Sequence, residues 1–325
     1  MTKNILLVND TSLICHHGCT LLMQSIYKFF NKKKFNIKNK IYLEENCLDF
    51  LDNISDYDLI LINGEGIIHG KKNSDMNKVN EILNFIKKIK SKHNLPIVIF
   101  NSTISSLKSY QIEALRLVDK IYVREKFSHI YLKNKKIKST ILPDLLSLLL
   151  IKNKKNDNHI VVTDSSIQKT TKKLFEYANF KNYKFIPILY NNYLRFLRFF
   201  IFKFILKIKI NFLVNFFLYL KNLYLKKILK VLAKSEFIIT GRFHGVFICI
   251  ALMKPFYTFQ SDTYKIQGLM EMIGISHRII DIKKINRLKL SKFNKSEITK
   301  IKKFQKKSKK KFTQFFNDLN NLVTN

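Results

Sequence analysis

Short apolar runs alternate with helix-period segments along this chain, and that alternation constrains the fold more than any other feature. Ile5 to Val8, Leu59 to Ile62, Ile97 to Phe100 and Lys120 to Val123 have the length and branched apolar character of buried strands. Cys19 to Phe30, Asn77 to Lys90, Ser109 to Leu117 and Ser128 to Leu132 read as the helices between and after them. Strand and helix in alternation predict an α/β fold with parallel sheets, because a parallel neighbour is reached only through a crossover, usually a helix. A first unit closes near Pro143-Asp144, and the lysine-rich stretch Lys152 to Asn158 reads as a linker. The theme then repeats in His159 to Val162, Lys184 to Leu189, a long helical region, Phe237 to Ile239, Val246 to Met253, Phe256 to Phe259 and a helix from Lys265. Two Rossmann-like domains, 1–150 and 151–325, are expected, with ligands in a cleft between them.

Charge narrows the class. Lys plus Arg number 59 against 23 Asp plus Glu, a net +36, so an anionic neighbour is expected. With 46% apolar residues and a mean hydropathy of −0.07, the chain is nonetheless globular rather than disordered. Only seven of the 59 are arginine (116, 124, 195, 198, 242, 278 and 287). An abundance of Lys, Asn, Ile and Phe is also what an AT-rich genome writes without functional motive, so each arginine, with its bidentate fork, is the more informative cation. No helix-turn-helix, zinc-finger or base-stacking signature accompanies the lysines, and nucleic acid is not an expected partner. Four scattered cysteines (15, 19, 47, 249) with no C-x-x-C pair predict neither a disulfide framework nor a metal site. A reducing, cytoplasmic setting follows, and the opening MTKNILLVND enters a strand with no long apolar leader.

All eight glycines fall in four short neighbourhoods. His16-His17-Gly18 follows the first strand, and Asn63-Gly64-Glu65-Gly66-Ile-Ile-His69-Gly70 follows the second apolar run. Both stand past the carboxyl end of a strand, where α/β folds bind ligands. The third neighbourhood, Thr240-Gly241-Arg242-Phe243-His244-Gly245, sets an arginine and a histidine two residues apart between a strand and an apolar helix. Downstream, Lys254-Pro255 opens another strand, and Tyr264-Lys265 with Gly268 places a helix N-terminus on the same rim.

At these residues the chain resembles the polysaccharide pyruvyl transferase family. The resemblance rests on Asp58-Leu-Ile-Leu-Ile-Asn-Gly64-Glu-Gly66, on Val123-Arg124-Glu125-Lys126-Phe127-Ser128, on Pro143-Asp144, and on Gly241-Arg242-Phe243-His244-Gly245 with Lys254-Pro255 and Lys265. The glycine turn and Glu125 depart from the family pattern, which more often has a run of glycines and an aspartate. The resemblance implies two Rossmann-like domains arranged like a B-type glycosyltransferase. It also implies transfer of pyruvate from phosphoenolpyruvate, as co-substrate and with no cofactor, onto a saccharide or lipid-linked glycan as a cyclic ketal.

The residue chemistry accords with that implication. A small dianion carrying phosphate and carboxylate suits two guanidinium forks, Arg124 and Arg242, with His244 as acid. His16, His17 or His69 is a candidate to activate the acceptor hydroxyl from the N-terminal domain. Gly18, Asn63, Gly64, Glu65, Gly66, Asp144, Gly241, Gly245, Tyr264 and Lys265 complete the expected substrate-binding set. A nucleotide-sugar glycosyltransferase of the same architecture, and a non-enzymatic basic binder of membranes, are the alternatives.

From Tyr177 to Ser235 there is no Asp or Glu, while Lys and Arg occupy twelve positions. Over about 192–234, Lys203, Lys207, Asn211, Asn215, Asn222, Lys226, Lys230 and Lys234 recur at helical spacing. An apolar face of Phe200, Phe204, Ile208, Phe212, Phe216, Leu220 and Leu223 is read opposite them. Two readings stand: core helices of the second domain, or an interfacial helix on anionic lipid. Its longest uncharged run is too short to span a bilayer. The basic tail from Lys283 to Lys311 reads as a solvated helix with some affinity for polyanions.

Overall fold

The computed structural model describes residues 2–31, 35–70, 73–151, 157, 159–190, 194, 196–198 and 211–324. The linker expected at Lys152 to Asn158 lies outside them apart from Asp157, as do Phe200, Lys203, Phe204, Lys207 and Ile208. Two compact units emerge: residues 1–11, 26–145 and 308–325 form unit 1, and residues 12–25 and 146–307 form unit 2.

Unit 1 is built on a six-stranded sheet, β1 (Lys3–Asp10), β2 (Phe35–Tyr42), β3 (Leu59–Glu65), β4 (Ile97–Ser102), β5 (Lys120–Val123) and β6 (Thr140–Ile141). The order is β2-β1-β3-β4-β5-β6 and every pairing is parallel. β3 and β4 are buried at every residue, as strands covered on both faces must be. The edge strand β2 escapes sequence reading because its Asn and Lys face solvent in FNIKNKIY. Helices α1 (His17–Asn31, of which residues 17–25 belong to unit 2), α2 (Asn73–Lys92), α3 (Ser109–Arg116) and α4 (Lys126–Asn134) connect the strands. Val79, Ile82, Phe85, Ile86 and Ile89 of α2 and Ile112 and Leu115 of α3 join the core on Ile60, Ile62, Ile97 and Ile99. The α4 entry explains the Val-Arg-Glu-x-x-Ser block locally: Glu125 is the N-cap, its carboxylate accepting from the amides of Phe127 (2.5 Å) and Ser128 (3.0 Å) and from the Ser128 hydroxyl.

Unit 2 has a four-stranded parallel sheet of β7 (Ile160–Ser165), β8 (Lys184–Phe185), β9 (Phe237–Gly241) and β10 (Phe256–Thr258), ordered β10-β9-β7-β8. The strand expected over Lys184 to Leu189 shrinks to two residues, because Pro187 offers no amide to a ladder. Its helices are α5 (Gln168–Phe180), α6 (Asn211–Lys234), α7 (Phe243–Ala251) and α8 (Lys265–Ile273), and α9 (Lys295–Thr324) begins here. All nine residues of α7 are buried. α5 goes unread in the sequence since it buries only Thr170, Leu174, Tyr177 and Ala178 under a lysine-rich face.

Two segments depart from a simple division near 150. Residues 12–17 are stitched to 188–190: the His17 amide donates to Ile188 O (2.9 Å), the Tyr190 amide to Cys15 O (3.2 Å), and His16 bridges Leu189 antiparallel. The basic tail is not simply solvated. Ile285, Ile301 and Phe304 within it are buried, and beyond Lys311 α9 packs in unit 1 through Phe312, Phe315, Phe316 and Leu319, with Phe315 stacked on Phe100 at 5.9 Å and edge-on to Tyr122 at 4.8 Å. Arginine scarcity also proves a weaker guide than expected. Arg278 is spent on structure: it forks onto Glu297, donates to Phe256 O, Ser291 O and Lys292 O, and lies against Tyr257 and Phe293. Among the described residues no helix is long and apolar enough to cross a membrane.

Candidate active site

In sheets of this kind ligands collect where the strand order reverses, at the carboxyl ends of the strands. In unit 2 that point lies between β7 and β9. Asp164, near the end of β7, is buried and uses both oxygens: Oδ1 accepts the Ile188 amide (2.7 Å), and Oδ2 accepts Arg242 Nε (2.9 Å) and Nη2. Arg242 is therefore not a free fork. It is the N-cap residue of α7, its amide donating to Thr240 Oγ1 (3.2 Å), which in turn receives the Thr163 hydroxyl (2.7 Å). Gly241 ends β9 and Gly245 sits in the first turn of α7.

His244, which the sequence sets between strand and helix, lies within the first turn of α7 and is buried. The ring sits against Gly18, where any β-carbon would collide with the His244 side chain. Glycine there is demanded by close approach, not by a left-handed backbone. His16 meets His244 edge-on, ring centroids 5.5 Å apart and planes at 73°. His16 and His17 thus belong to the same unit as His244, because the 188–190 stitching draws their loop there. His16 Nδ1 accepts the amides of Gly18 (3.0 Å) and Cys19 (3.3 Å), capping α1 and leaving the ring's proton on Nε2. Burial, then the charges of His244, Arg242, His17 and Lys265, hold His16 well below its ordinary pKa. His17 lies on the Tyr190 ring at 3.8 Å, and burial, then Lys221, push its pKa down to about 3.

Lys221 of α6 is fully buried, donating from Nζ to Ser12 O and to Ile14 O (2.6 Å) beside the rings of Tyr190 and Phe217. It tethers the loop that carries His16 and His17. Lys265, at the start of α8, pairs with Asp262 at 3.1 Å, and Tyr264 next to it is exposed. Linear spacing also hides one cluster: a ligating atom from each of His16, Cys19 and His244 lies within 4.8 Å of the others. That triad has the donor types of a soft cation site. Amide donation to His16 Nδ1 has the wrong polarity for a ligand ring, whose second nitrogen ordinarily donates a proton.

Unit 1 has its own switch point, between β1 and β3. Three adjacent strands end there in left-handed, non-glycine residues: Asn9 (φ 66°), Glu65 (φ 36°) and Asn101 (φ 54°). Each costs of order 1–3 kcal/mol and persists only where its surroundings over-determine it. Here they do. Glu65 accepts from Thr11 and from Asn63 Nδ2 (3.2 Å), Asn9 donates to Asn63 O, and Asn101 donates to Asn63 Oδ1 (3.0 Å). Gly64 lets this turn lie on Ser102, whose hydroxyl a β-carbon would strike. Gly66 follows in the turn, and His69 is buried and bridged to Ser105. Arg124 is buried with Nε on Thr103 Oγ1 (2.8 Å) and Nη1 on Asp144 Oδ2 (3.2 Å), so Asp144 holds an arginine instead of standing open. Asp164, Lys221, Asn9 and Asn101 are absent from the sequence expectations; only Asp164, an acid closing an apolar strand, offers a readable signal.

The sheets and the two switch points define an α/β protein of Rossmann-like units. The model of the polysaccharide pyruvyl transferase family matches residues 16–263, and the chain belongs to that family of transferases. Comparison with curated proteins returns no sequence match. Among solved structures, a functionally uncharacterised protein from Klebsiella pneumoniae superposes with a TM-score of 0.50 at 13% identity, over 86% of this chain and 92% of that one. A UDP-GlcNAc 2-epimerase from Neisseria meningitidis, bound to UDP-GlcNAc, gives 0.45 at 11% identity over 87% and 90%. The UDP-GlcNAc 2-epimerase from Methanocaldococcus jannaschii gives 0.43 at 10% over 93% and 99%. At 13% identity the likeness to the Klebsiella protein is one of fold.

Proposed function

We propose that this transferase moves the pyruvyl group of phosphoenolpyruvate onto two hydroxyls of a saccharide, closing a cyclic ketal and releasing phosphate. The observation that carries the reading is the unit 2 cluster: Arg242 locked on Asp164 at the β7/β9 switch point, with His244 two residues on and Lys265 in the same unit. A guanidinium whose orientation is fixed by one carboxylate still presents its remaining N–H groups in a rigid fork, suited to the donor's phosphate or carboxylate.

In the proposed reaction His244 gives a proton to the enol methylene, leaving a cationic centre at C2 stabilised by oxygen. One acceptor hydroxyl adds there as its proton returns to the His244 ring, the C2–O bond to phosphate breaks, and the second hydroxyl closes the ketal as its proton goes to the departing phosphate. His16 carries its proton on Nε2 and is neutral, so it serves as a hydrogen-bond donor beside His244 and not as the base. The acceptor is read as a cell-surface polysaccharide or its lipid-linked precursor. Cys15, Cys19, Cys47 and Cys249 are buried as thiols, not as disulfides, which supports a reducing, cytoplasmic compartment.

The test is to incubate the full chain with phosphoenolpyruvate and oligosaccharide or lipid-linked glycan, following phosphate release and an acid-labile mass gain on the glycan. His244→Ala, checked for fold by circular dichroism, is expected to abolish both. Full activity in the folded variant overturns the acid assignment, and nucleotide release from nucleotide-sugars in place of phosphate release overturns the reaction.

A further inference from the structure

The sequence reading sets the lysines of α6 opposite its aromatic residues. Helical geometry and exposure place them on one face. Phe212, Phe216, Tyr219, Leu223, Lys226 and Lys230 follow one another at steps of four, three, four, three and four, the repeat that keeps side chains in line on a helix. All six are exposed, Phe212 at 75%, Phe216 at 48%, Tyr219 at 57% and Leu223 at 43%. The opposite side does the packing: Val214, Phe217, Lys221, Leu225 and Leu232 are buried, and Lys221 anchors the helix to Ser12 and Ile14. Phe212 and Phe216 are thus surface residues, not the core residues that the packing reading requires.

We infer that this face is a docking surface for an anionic lipid bilayer. The stripe is divided along its length, not around it. Its first three turns offer aromatic and aliphatic side chains, the kind that settle at the boundary between headgroup and acyl chain. The next two turns offer Lys226, Lys227 and Lys230, all exposed, at the level of the headgroups. Charge complementarity selects the occupant. α6 contains no acidic residue, nor does any position from Tyr177 to Ser235, so nothing in this segment repels phosphate. A protein partner would be expected to meet some charge of the opposite sign, whereas a bilayer surface needs none. With about 1.5 Å of rise per residue, the apolar half extends roughly 17 Å, enough to lie in an interface and too little to span one. The surface does not depend on the pyruvyl transfer reading.

The test is co-sedimentation of the full chain with vesicles of phosphatidylcholine alone and of phosphatidylcholine with 30% phosphatidylglycerol, at physiological and 1 M salt. Binding is expected to the anionic vesicles, weakened by high salt as the Debye length shortens to about 3 Å. Lys226→Gln/Lys227→Gln/Lys230→Gln should weaken it on the order of a hundredfold, from about fivefold per lysine near a charged surface. Phe212→Ser/Phe216→Ser should weaken it at unchanged net charge. Lys302→Gln/Lys306→Gln/Lys309→Gln on α9 removes the same charge elsewhere and should leave binding intact. No pelleting with the anionic vesicles overturns the inference. Equal loss in the α9 variant, or undiminished binding by either α6 variant, does so as well.

Discussion

Gly18 and His244 occupy one another's space: the histidine's side chain fills the volume that a β-carbon at position 18 would need. This relation joins the start of α1 to the start of α7 and fixes the imidazole from a direction that its own helix cannot supply.

Gly18→Ala should therefore disturb both His244 and the packing of α1 on α7, since the atom a β-carbon meets first is the His244 Cβ, held by its own helix and unable to swing aside. Expected is a loss of turnover of at least tenfold together with a lowered thermal midpoint, the overpacking costing about 1–3 kcal/mol. Phosphate release and a melting curve on the same preparation decide it, and an unimpaired Gly18→Ala enzyme would show that the ring can move without consequence.

Arginine and lysine should not be interchangeable at 242. A lysine there has no Nε–Nη2 edge to set on Asp164 and no second edge to offer a ligand. Loss of a charged, hydrogen-bonded contact of about 2–3 kcal/mol corresponds to roughly 30- to 150-fold in transfer efficiency. Asp164→Asn should lower it too, by loosening the guanidinium. Arg124→Lys, tested separately, should break the Thr103 and Asp144 contacts and also lower turnover. Wild-type rates in the lysine variants would make both arginines structural.

Acid should destabilise the protein earlier than its carboxylates require. His17 is neutral in the folded state down to about pH 3, while an unfolded chain protonates it near 6.5. Between those values the unfolded state holds the extra proton, so stability is complete above pH 6.5 and falls by about 1.4 kcal/mol per unit below it. Urea midpoints at pH 7.5, 6 and 5 should fall less steeply for His17→Gln than for wild type. Parallel trends in the two proteins would rule out this origin.

Arg278→Ala should be among the most damaging changes outside the candidate site. It leaves the buried carboxylate of Glu297, held down to about 2 by Arg278, the Asn294 amide and His277 against the opposing effect of burial, without its strongest partner and with the Asn294 amide and His277 remaining. A loss of about 3–5 kcal/mol is expected. Arg278→Lys should restore only part of it, because one ammonium cannot meet three carbonyls and two carboxylate oxygens. Denaturant titration measures both, and a shift below 1 kcal/mol for Arg278→Ala would contradict the account.

Much of this protein is already written in local order. Apolar runs such as Leu59 to Ile62 and Ile97 to Phe100 specify buried parallel strands without help from distant residues, and Gly241-Arg242-Phe243-His244-Gly245 marks a strand–turn–helix junction by composition alone. Only tertiary structure decided what those residues touch. Asp164 reaches Arg242, Gly18 admits His244, and Lys221 holds the loop of His16, each across a separation that no periodicity encodes. The Asn9, Glu65 and Asn101 backbones adopt left-handed angles because neighbouring strands hold them there, not because their own residue types demand it. α9 shows the division plainly: its lysines announce a solvated helix, while the burial of Phe312, Phe315 and Phe316 depends on a sheet formed some two hundred residues earlier. Local propensity acts over a few residues, whereas burial is a property of the assembled core.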